Sequence, residues 1–561
     1  MNQLIECVPN FSEGRDMNII RQITHEIEMV EGVKLLNVDP GKATNRTVVT
    51  FVGPPAQVIE AAYRAIRKAA ELIDMSKHKG EHPRMGATDV CPLIPIAHIS
   101  MDETAAFARQ LGERVGKELQ IPVYLYEAAQ PDKKRNNLSV IRAGEYEGFF
   151  KKIKLPEWKP DFGPAEHSEK SGSTVIGARD FLVAYNINLN TTSTRRANSI
   201  AFDVREAGRV KREGNPATGK IVTDAEGKPV NIPGSLKAVK AIGWYIEEYG
   251  IAQISMNLTN INTTPVHVAF DEVCKKATER GIRVTGSELV GLIPLRAMLD
   301  AGRYFLLKQQ RSAGVSEQEL IRIAIKSLGL DELSPFKPEE RIIEYLLRDA
   351  ATDKLTRMTL TGFANETASE SAAPGGGSIS AYAGALGVSL GVMVANLSSH
   401  KPGWDERWEE FSKEAEKGQH LKDQLLRLVN EDTNAFNKIM EALNLPKASD
   451  QEKAARTTAI QSATRYATEV PFKVMEISFQ AMSLIKSMAE IGNPNSVSDA
   501  GVGALCCRSA VMGAFLNVKI NAGGLTDKTF SADILSRGRA LEAQTQALES
   551  EILAIVNGKI K

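Results

Sequence analysis

Two α/β subdomains of βαββαβ, ferredoxin-like order, followed by an all-α helical bundle, is the fold class that this 561-residue sequence predicts. Three observations predict it. Strand-like and helix-like stretches alternate through the first third of the chain. The same element order restarts past residue 180, although the residues themselves do not repeat. From about Glu340 strand signals vanish, and helical periodicity runs on towards the C-terminus.

The elements follow in chain order. "LIECVPNF" reads as a strand and residues 16–30 as a helix. "VKLLNV" and "RTVVTFVG" are strands joined by "DPGKATN". "PPAQVIEAAYRAIRKAAELI" is a helix with proline at its start, where the missing N–H is tolerated. "DVCPLIPI" reads as a buried strand, followed by a helix over 102–119 and the strand "PVYLYE". After the Pro-, Gly- and Ser-rich passage "LPEWKPDFGPAEHSEKSGS" the order restarts. "FLVAYNINL" is a strand and 194–208 a helix. "AIGWYIEEYG" and "AQISMNLTN" are strands beyond a Gly/Pro-rich insertion around 212–232. "PVHVAFDEVCKKATERG" is a helix and "RVTGSELVGL" a strand. Two related subdomains with a groove between them are expected. Beyond the linker "LGLDELSPFKPEER", helices are expected over 341–350, 377–399, 404–443, 450–490, 497–522 and 529–557. Pro402, Pro446 and Pro494 punctuate the gaps, and Pro471 predicts a kink.

Composition excludes several classes. Lys plus Arg and Asp plus Glu both number 69, so the formal net charge is zero, which argues against nucleic-acid binding. The five cysteines form no CxxC pair and have no zinc spacing; a reducing, cytoplasmic compartment and no metal are expected. The N-terminus lacks the pattern of a signal peptide. The longest apolar run, "ISAYAGALGVSLGVMVANL", is broken by Gly, Ser and Asn and reads as a buried core helix, so no membrane partner is expected. No GxGxxG follows a strand, which disfavours dinucleotide binding.

Five constellations could carry chemistry. "HKGEHPRMGATDVCP" places His78, Glu81, His82, Arg84 and Asp89 on a loop entering a strand; it is either a polar turn or a proton-transfer site. "NVDPGKATNRTVVTF" sets Asp39, Asn45 and Arg46 around a strand connection, where turn residues are expected anyway. Arg46 there could clamp a carboxylate. "AYNINLN" aligns Asn186, Asn188 and Asn190 on one strand face; it is either solvent-facing or able to read a heterocycle. In the helix 404–443, Leu421, Leu425, Leu428, Ala435, Ile439 and Ala442 form an apolar stripe interrupted by Asp432. A carboxylate in such a seam is paired or has a raised pKa. "SAAPGGGSISA" offers either close helix packing or backbone N–H groups for an anion, but lacks the Gly-Lys-Ser/Thr ending of a P-loop.

Read together, "LIECVPNFSEGR", "DPGKATNRTVVTFVGPP", "LIDMSKHKGEHPRMGATDVCP", "PVYLYE", "IRAGEYEG" and "PDFGP" closely resemble the glutamate formimidoyltransferase family. "LGLDELSPFKPEERIIEYL" followed by "SAAPGGGS" resembles the junction into formimidoyltetrahydrofolate cyclodeaminase. The resemblance covers essentially the whole chain, in order, as in the family where both are fused. It implies transfer of a formimino group from N-formimino-L-glutamate to N5 of tetrahydrofolate, then ring closure onto N10 with loss of ammonia. It implies transferase subdomains over 1–180 and 181–326, a linker over 327–340 and a cyclodeaminase domain over 341–561.

The resemblance also carries site residues. The transferase base falls on His82 and the cyclodeaminase aspartate on Asp432, in "LVNEDTNAF". The folate-contacting segment falls on Gly163, Pro164, Ala165, Glu166, His167, Ser168, Glu169, Lys170, Ser171 and Gly172, with a further contact at Leu236. Charge makes Arg46 and Arg84 candidate partners for glutamate carboxylates, with Asp39, Asn45 and Asp89 beside them. Tetrahydrofolate, in polyglutamylated form, is expected as a substrate, and homo-oligomers as the assembly. Two rivals are a helical half that acts as a cyclohydrolase and one that serves only as a scaffold.

Overall fold

A computed structural model of the chain describes all residues except 1, 2, 43, 81, 82, 215–217, 348–353 and 561. The chain divides into two compact units, Met1–Ala297 with Leu328–Leu347, and Met298–Ser327 with Arg348–Lys561.

The first unit begins with β1 (Leu4–Cys7), β2 (Asn10–Phe11), α1 (Met17–Glu28), β3 (Lys34–Gly41), β4 (Arg46–Gly53), α2 (Pro55–Leu72), β5 (Thr88–Ala97), α3 (Met101–Glu118) and β6 (Val123–Glu127). Two short helices, α4 (Leu138–Arg142) and α5 (Glu145–Lys152), precede β7 (Thr174–Ala178). β1 and β2 are two pieces of one strand position, interrupted at Pro9, which has no N–H for a ladder; both pieces pair with β4 and β5. The sheet runs β3, β4, β1/β2, β5, all antiparallel, and is extended in parallel by β7 and β6. Counting β1/β2 as one strand, the first four follow the 2-3-1-4 order of a ferredoxin-like βαββαβ unit. Ile5, Phe51, Leu93, Ile66 and Leu111 form part of the core between this sheet and its helices.

The second sheet belongs to β8 (Val183–Leu189), α6 (Thr194–Val204), a two-stranded ribbon β9 (Arg209–Val210) and β10 (Asn231–Ile232), β11 (Val239–Ile246), β12 (Ile251–Leu258), α7 (Val266–Thr278) and β13 (Val284–Val290). Its order β11-β12-β8-β13 is again 2-3-1-4, wholly antiparallel. The fold class read from the sequence is thus the observed one. The insertion expected around 212–232 ends in β10, which pairs with β9 just before it. β7 escaped the sequence reading because its five residues carry no period and pair only with strands distant in sequence. The stretch "LGLDELSPFKPEER" is pinned to this unit. Ser287 N donates to Gly329 O (3.0 Å), Asn188 Nδ2 to Glu332 (2.7 Å), and Ile293 bridges Ile342.

The remaining elements are helical: α8 (Leu295–Lys308), α9 (Glu317–Leu328), the short α10 (Pro338–Arg341) and α11 (Ile343–Leu347), α12 (Leu360–Thr367), α13 (Gly376–Ser399), α14 (Trp408–Leu443), α15 (Asp450–Ile491), α16 (Val497–Gly523) and α17 (Lys528–Lys559). α13 to α17 pack around one core that includes Val388, Phe411, Leu425, Met475, Ile485 and Phe515. α15 continues through Pro471, which is buried within it. α13 and the segment Pro494–Gly523 are long and apolar enough to cross a membrane, yet most of the apolar window of α13 is packed inside the bundle. The expected helix over 341–350 is α11; residues beyond 347 in it lie outside the described ones.

Candidate active sites

The first cluster forms where the β3–β4 turn, the loop before β5 and α4–α5 meet. Asn45, at φ 47°, occupies the left-handed region that asparagine tolerates. Its Oδ1 accepts from Gly14 N (3.0 Å) and its Nδ2 donates to Lys79 O (3.0 Å). Its carbonyl meets His78 Nε2 at 2.8 Å. Arg84 Nε donates to His78 Nδ1 at 3.3 Å, so the proton of this imidazole sits on Nε2 and is donated to Asn45. Burial holds His78 below its ordinary pKa, which favours that neutral form. His82 and Glu81 lie outside the described residues; the loop on either side of them is held by these bonds.

Arg84 is buried and paired. Its Nη2 bonds Glu147 Oε1 at 2.7 Å, and its Nη1 lies 3.0 Å from Glu147 Oε2 and 3.1 Å from Glu145 Oε2. Asp89 is fully buried; its Oδ1 accepts from Met85 N (3.0 Å) and its Oδ2 from Arg142 Nη2 (2.7 Å). Burial pushes its carboxyl up to about 6, against the pull of Arg142, Met85 N and Arg46. Asp39 is exposed on β3, and its charge, with that of Asp89, acts on the half-buried Arg46. The five candidates Asp39, Asn45, Arg46, Arg84 and Asp89 therefore fall in one neighbourhood. Arg142, Glu145 and Glu147 went unremarked as site residues, although all three stand in "IRAGEYEG".

The segment 163–172 is sewn to the same loop. Gly172, at φ +68°, lies so close to it that an added Cβ would sit 2.3 Å from Met85 O. Ala87 N donates to Ser171 O (2.8 Å), Ser173 N to Met85 O (3.1 Å) and Met75 N to Lys170 O (2.9 Å). Ser171 N and Gly172 N bond the Oγ and carbonyl of Ser168. Tyr146 OH donates to Glu169 O at 2.5 Å. His167 points inward among Tyr146, Phe149 and Phe150, with Nδ1 2.7 Å from Ser173 Oγ; burial pushes its pKa down to about 4. Gly163, Ala165, Glu166, Glu169 and Lys170 are exposed, while Pro164, Ser168 and Ser171 are half-buried. Leu236 is buried at the end of α6 with its N–H on Val204 O (3.0 Å).

The second cluster joins two stretches that the sequence left separate. Asp432, half-buried on α14, sits against the N-terminus of α13, where "PGGGS" enters the helix. Its Oδ2 accepts from Ser378 N at 2.8 Å and from Ser378 Oγ at 3.1 Å. An added Cβ on Gly377 would lie 2.1 Å from Asp432 Oδ1, so only glycine admits the carboxylate here. Burial raises the Asp432 pKa, and the two Ser378 donors pull it back. The Gly-rich turn thus serves an anion after all, and that anion is a side chain of the same chain. The neighbouring Glu431 accepts from Tyr466 OH, whose pKa burial pushes up to about 12. The small residues of α13 also serve packing: Gly387 faces the carbonyl of Gly503 on α16, where a Cβ would lie 2.7 Å away.

Asn186 and Asn188 are not on a solvent face. Both are buried and hydrogen-bonded to Glu288 and Glu332, while Asn190 is exposed and accepts from Arg283 N. No group of three or more potential ligands forms a metal cluster among the described residues.

Comparison with known sequences bears on all three parts of the chain. Residues 4–179 match the family model of the formiminotransferase domain, N-terminal subdomain, and residues 184–348 that of the formiminotransferase domain. Residues 359–540 match that of formiminotransferase-cyclodeaminase. A formimidoyltransferase-cyclodeaminase of Gallus gallus is 42% identical over 557 residues, 99% of this chain and 99% of that protein. A glutamate formimidoyltransferase of Thermoplasma acidophilum is 42% identical over 307 residues, covering 54% of this chain and 92% of that protein. A methenyltetrahydrofolate cyclohydrolase of Methylorubrum extorquens is 37% identical over 202 residues, covering 36% of this chain and 97% of that protein. Full-length similarity at this level, with both halves in the same order, means that this chain belongs to the formimidoyltransferase-cyclodeaminase family.

Proposed function

We propose that the chain moves the formimino group of N-formimino-L-glutamate to N5 of tetrahydrofolate and then closes the product to 5,10-methenyltetrahydrofolate, expelling ammonia. Residues 1–180 and 181–326 carry the transfer, 327–340 link the halves, and 341–561 carry the cyclisation. The observation that supports this best is the meeting of Asp432 with the Gly-rich N-terminus of α13. There a carboxylate of raised pKa is held by two hydrogen bonds in a helical bundle, where a mere scaffold has no use for it.

In the transfer, N5 attacks the amidine carbon and must lose its proton. His82 takes it and returns it to the glutamate nitrogen as the C–N bond to glutamate breaks. The rest of the cluster positions: Asn45 and Arg84 hold the ring of His78, and Asn45 also holds the carbonyl of Lys79. Gly163 through Gly172 and Leu236 are the folate contacts in this reading. Of the segment, the exposed and half-buried residues are suited to touch folate, while His167 supports them from beneath. Asp39, Asn45, Arg46, Arg84 and Asp89 frame the glutamate end of the donor; the carboxylates that pair with Arg84 orient its guanidinium group.

In the cyclisation, N10 attacks the formimino carbon and the tetrahedral intermediate loses its amino nitrogen as ammonia. Asp432 accepts the N10 proton and delivers a proton to the departing nitrogen. A single carboxylate of raised pKa can do both in turn. The substrate carries a polyglutamate tail, and the chain works in the cytoplasm as a homo-oligomer. Ile379, Leu386, Met393 and Leu397 on α13 and Leu505, Met512 and Leu516 on the adjacent α16 support self-association, since all are exposed along neighbouring helices.

The test is product analysis with both substrates. Wild type forms methenyltetrahydrofolate and ammonia, His82→Ala forms neither, and Asp432→Ala accumulates 5-formiminotetrahydrofolate. A wild-type protein that stops at the formimino compound overturns the assignment of the helical half. The similarity to a cyclohydrolase favours one second reading, hydrolysis of methenyltetrahydrofolate; that reaction releases no ammonia.

A further inference from the structure

The face of the second sheet turned away from α6 and α7 carries a polar lattice fixed by strand register. Trp244, Gln253 and Asn188 lie side by side across β11, β12 and β8. In the next row stand Ile242, Ser255, Asn186 and Glu288, across β11, β12, β8 and β13. Trp244 Nε1 donates to Gln253 Oε1 (3.1 Å), and Gln253 Nε2 to Asn188 Oδ1 (2.8 Å) and Glu288 Oε2 (3.3 Å). Asn186 Nδ2 donates to Glu288 Oε2 at 3.1 Å.

The lattice orients a carboxylate without neutralising it. Among the described residues, the donors to Glu288 are two amides and the Tyr249 hydroxyl, the last at 3.5 Å on Oε1. Oε1 thus keeps acceptor capacity for a further donor. Beside it the face is open and apolar, with Ile242 55% and Trp244 40% exposed. It also looks towards the first sheet. Burial pushes the Glu127 carboxyl of β6 up, and Lys240, one row along from Ile242, pulls it back.

We infer that Glu288 is a specificity-determining residue for the folate substrate, accepting on Oε1 an N–H donor of its 2-amino-4-oxopyrimidine while Ile242 and Trp244 support the flat ring. This rests on the folate-dependent transfer proposed above. An N–H donor of the pyrimidine fits the acceptor capacity left on Oε1, and a flat heterocycle fits a floor of aromatic and branched side chains better than the small, flexible formimino donor does. Glu332 is less suited to the role, because its loop closes over Gly286.

The experiment measures steady-state transfer by full-length protein, varying each substrate separately. For Glu288→Gln, which keeps the shape but turns an amide N–H towards the pterin donors, KM for tetrahydrofolate rises about tenfold to a hundredfold, while KM for N-formimino-L-glutamate stays put. Ile242→Ala, at an exposed position, raises the folate KM by a smaller factor with unchanged melting temperature. An unchanged folate KM in both variants, or a rise confined to the KM of the formimino donor, overturns the inference. If wild type itself transfers nothing to tetrahydrofolate, the functional reading fails instead, and the two failures are told apart by that control.

Discussion

Gly377→Ala is a small change with a large predicted consequence. The added Cβ would lie 2.1 Å from Oδ1, 2.5 Å from Cγ and 2.6 Å from Oδ2 of Asp432. Carbon contacts are comfortable only at about 3.5 Å, so the carboxylate must withdraw by ~1 Å or more. Withdrawal breaks the bonds from Ser378 N and Oγ, at 2.8 and 3.1 Å. Misplacing a reacting group by ~1 Å costs on the order of a hundredfold in rate. Stability changes less: losing hydrogen bonds to a charged acceptor costs ~2 kcal/mol, and alanine recovers up to ~1 kcal/mol of helix propensity. The assay supplies 5-formiminotetrahydrofolate directly and follows methenyltetrahydrofolate and ammonia, with transfer measured separately. Cyclisation falls about a hundredfold and transfer is unchanged. Cyclisation at the wild-type rate would show that the placement of this carboxylate does not matter, and the role given to Asp432 would fail with it.

Three further outcomes are expected. Asn45→Ala loses two side-chain hydrogen bonds at a left-handed position, a cost of ~2–3 kcal/mol. Transfer drops while cyclisation of supplied intermediate persists, and equal loss of both activities counts against a local role. Gly172→Ala, at φ +68° with Met85 O 2.3 Å from the new Cβ, pushes the 168–173 segment off the loop. It raises the folate KM more than it lowers kcat, and a pure kcat effect contradicts that placement. Glu6, fully buried on β1, has its carboxyl pushed up to about 7 by burial, which outweighs the pull of Arg179. The folded state then binds a proton that the unfolded state has already released. Stability from this group is therefore complete below about pH 4.5 and is lost as pH rises through 7, by on the order of 3 kcal/mol. Glu6→Gln flattens that decline in melting temperature between pH 5 and 8; an equally steep decline in the variant refutes it.

Much of this protein was legible in its sequence because hydrophobic period is local. The 2.0 and 3.6 periods and the turn residues between them marked both βαββαβ units and the long helices. The stripe of Leu421, Leu425 and Ala435 marked Asp432 as out of place, and all three stripe residues are buried. Family likeness to "GEHPRMG" and "LVNEDTNAF" named His82 and Asp432. What the sequence could not supply were pairings between distant residues. β7 enters the sheet only because β5 and β6 leave a slot for a parallel strand, and nothing in "TVIGA" announces that. Arg84 read as a candidate partner for substrate carboxylates, yet Glu145 and Glu147, some sixty residues away, pair with its guanidinium. Asn186 and Asn188 read as open amides, and register placed them beside Glu288 and Glu332. "PGGGS" and Asp432 were two separate puzzles until the approach of α14 to the start of α13 made each the partner of the other. Composition and period decide which elements form; which charge meets which donor depends on how those elements pack, and only the folded chain settles that.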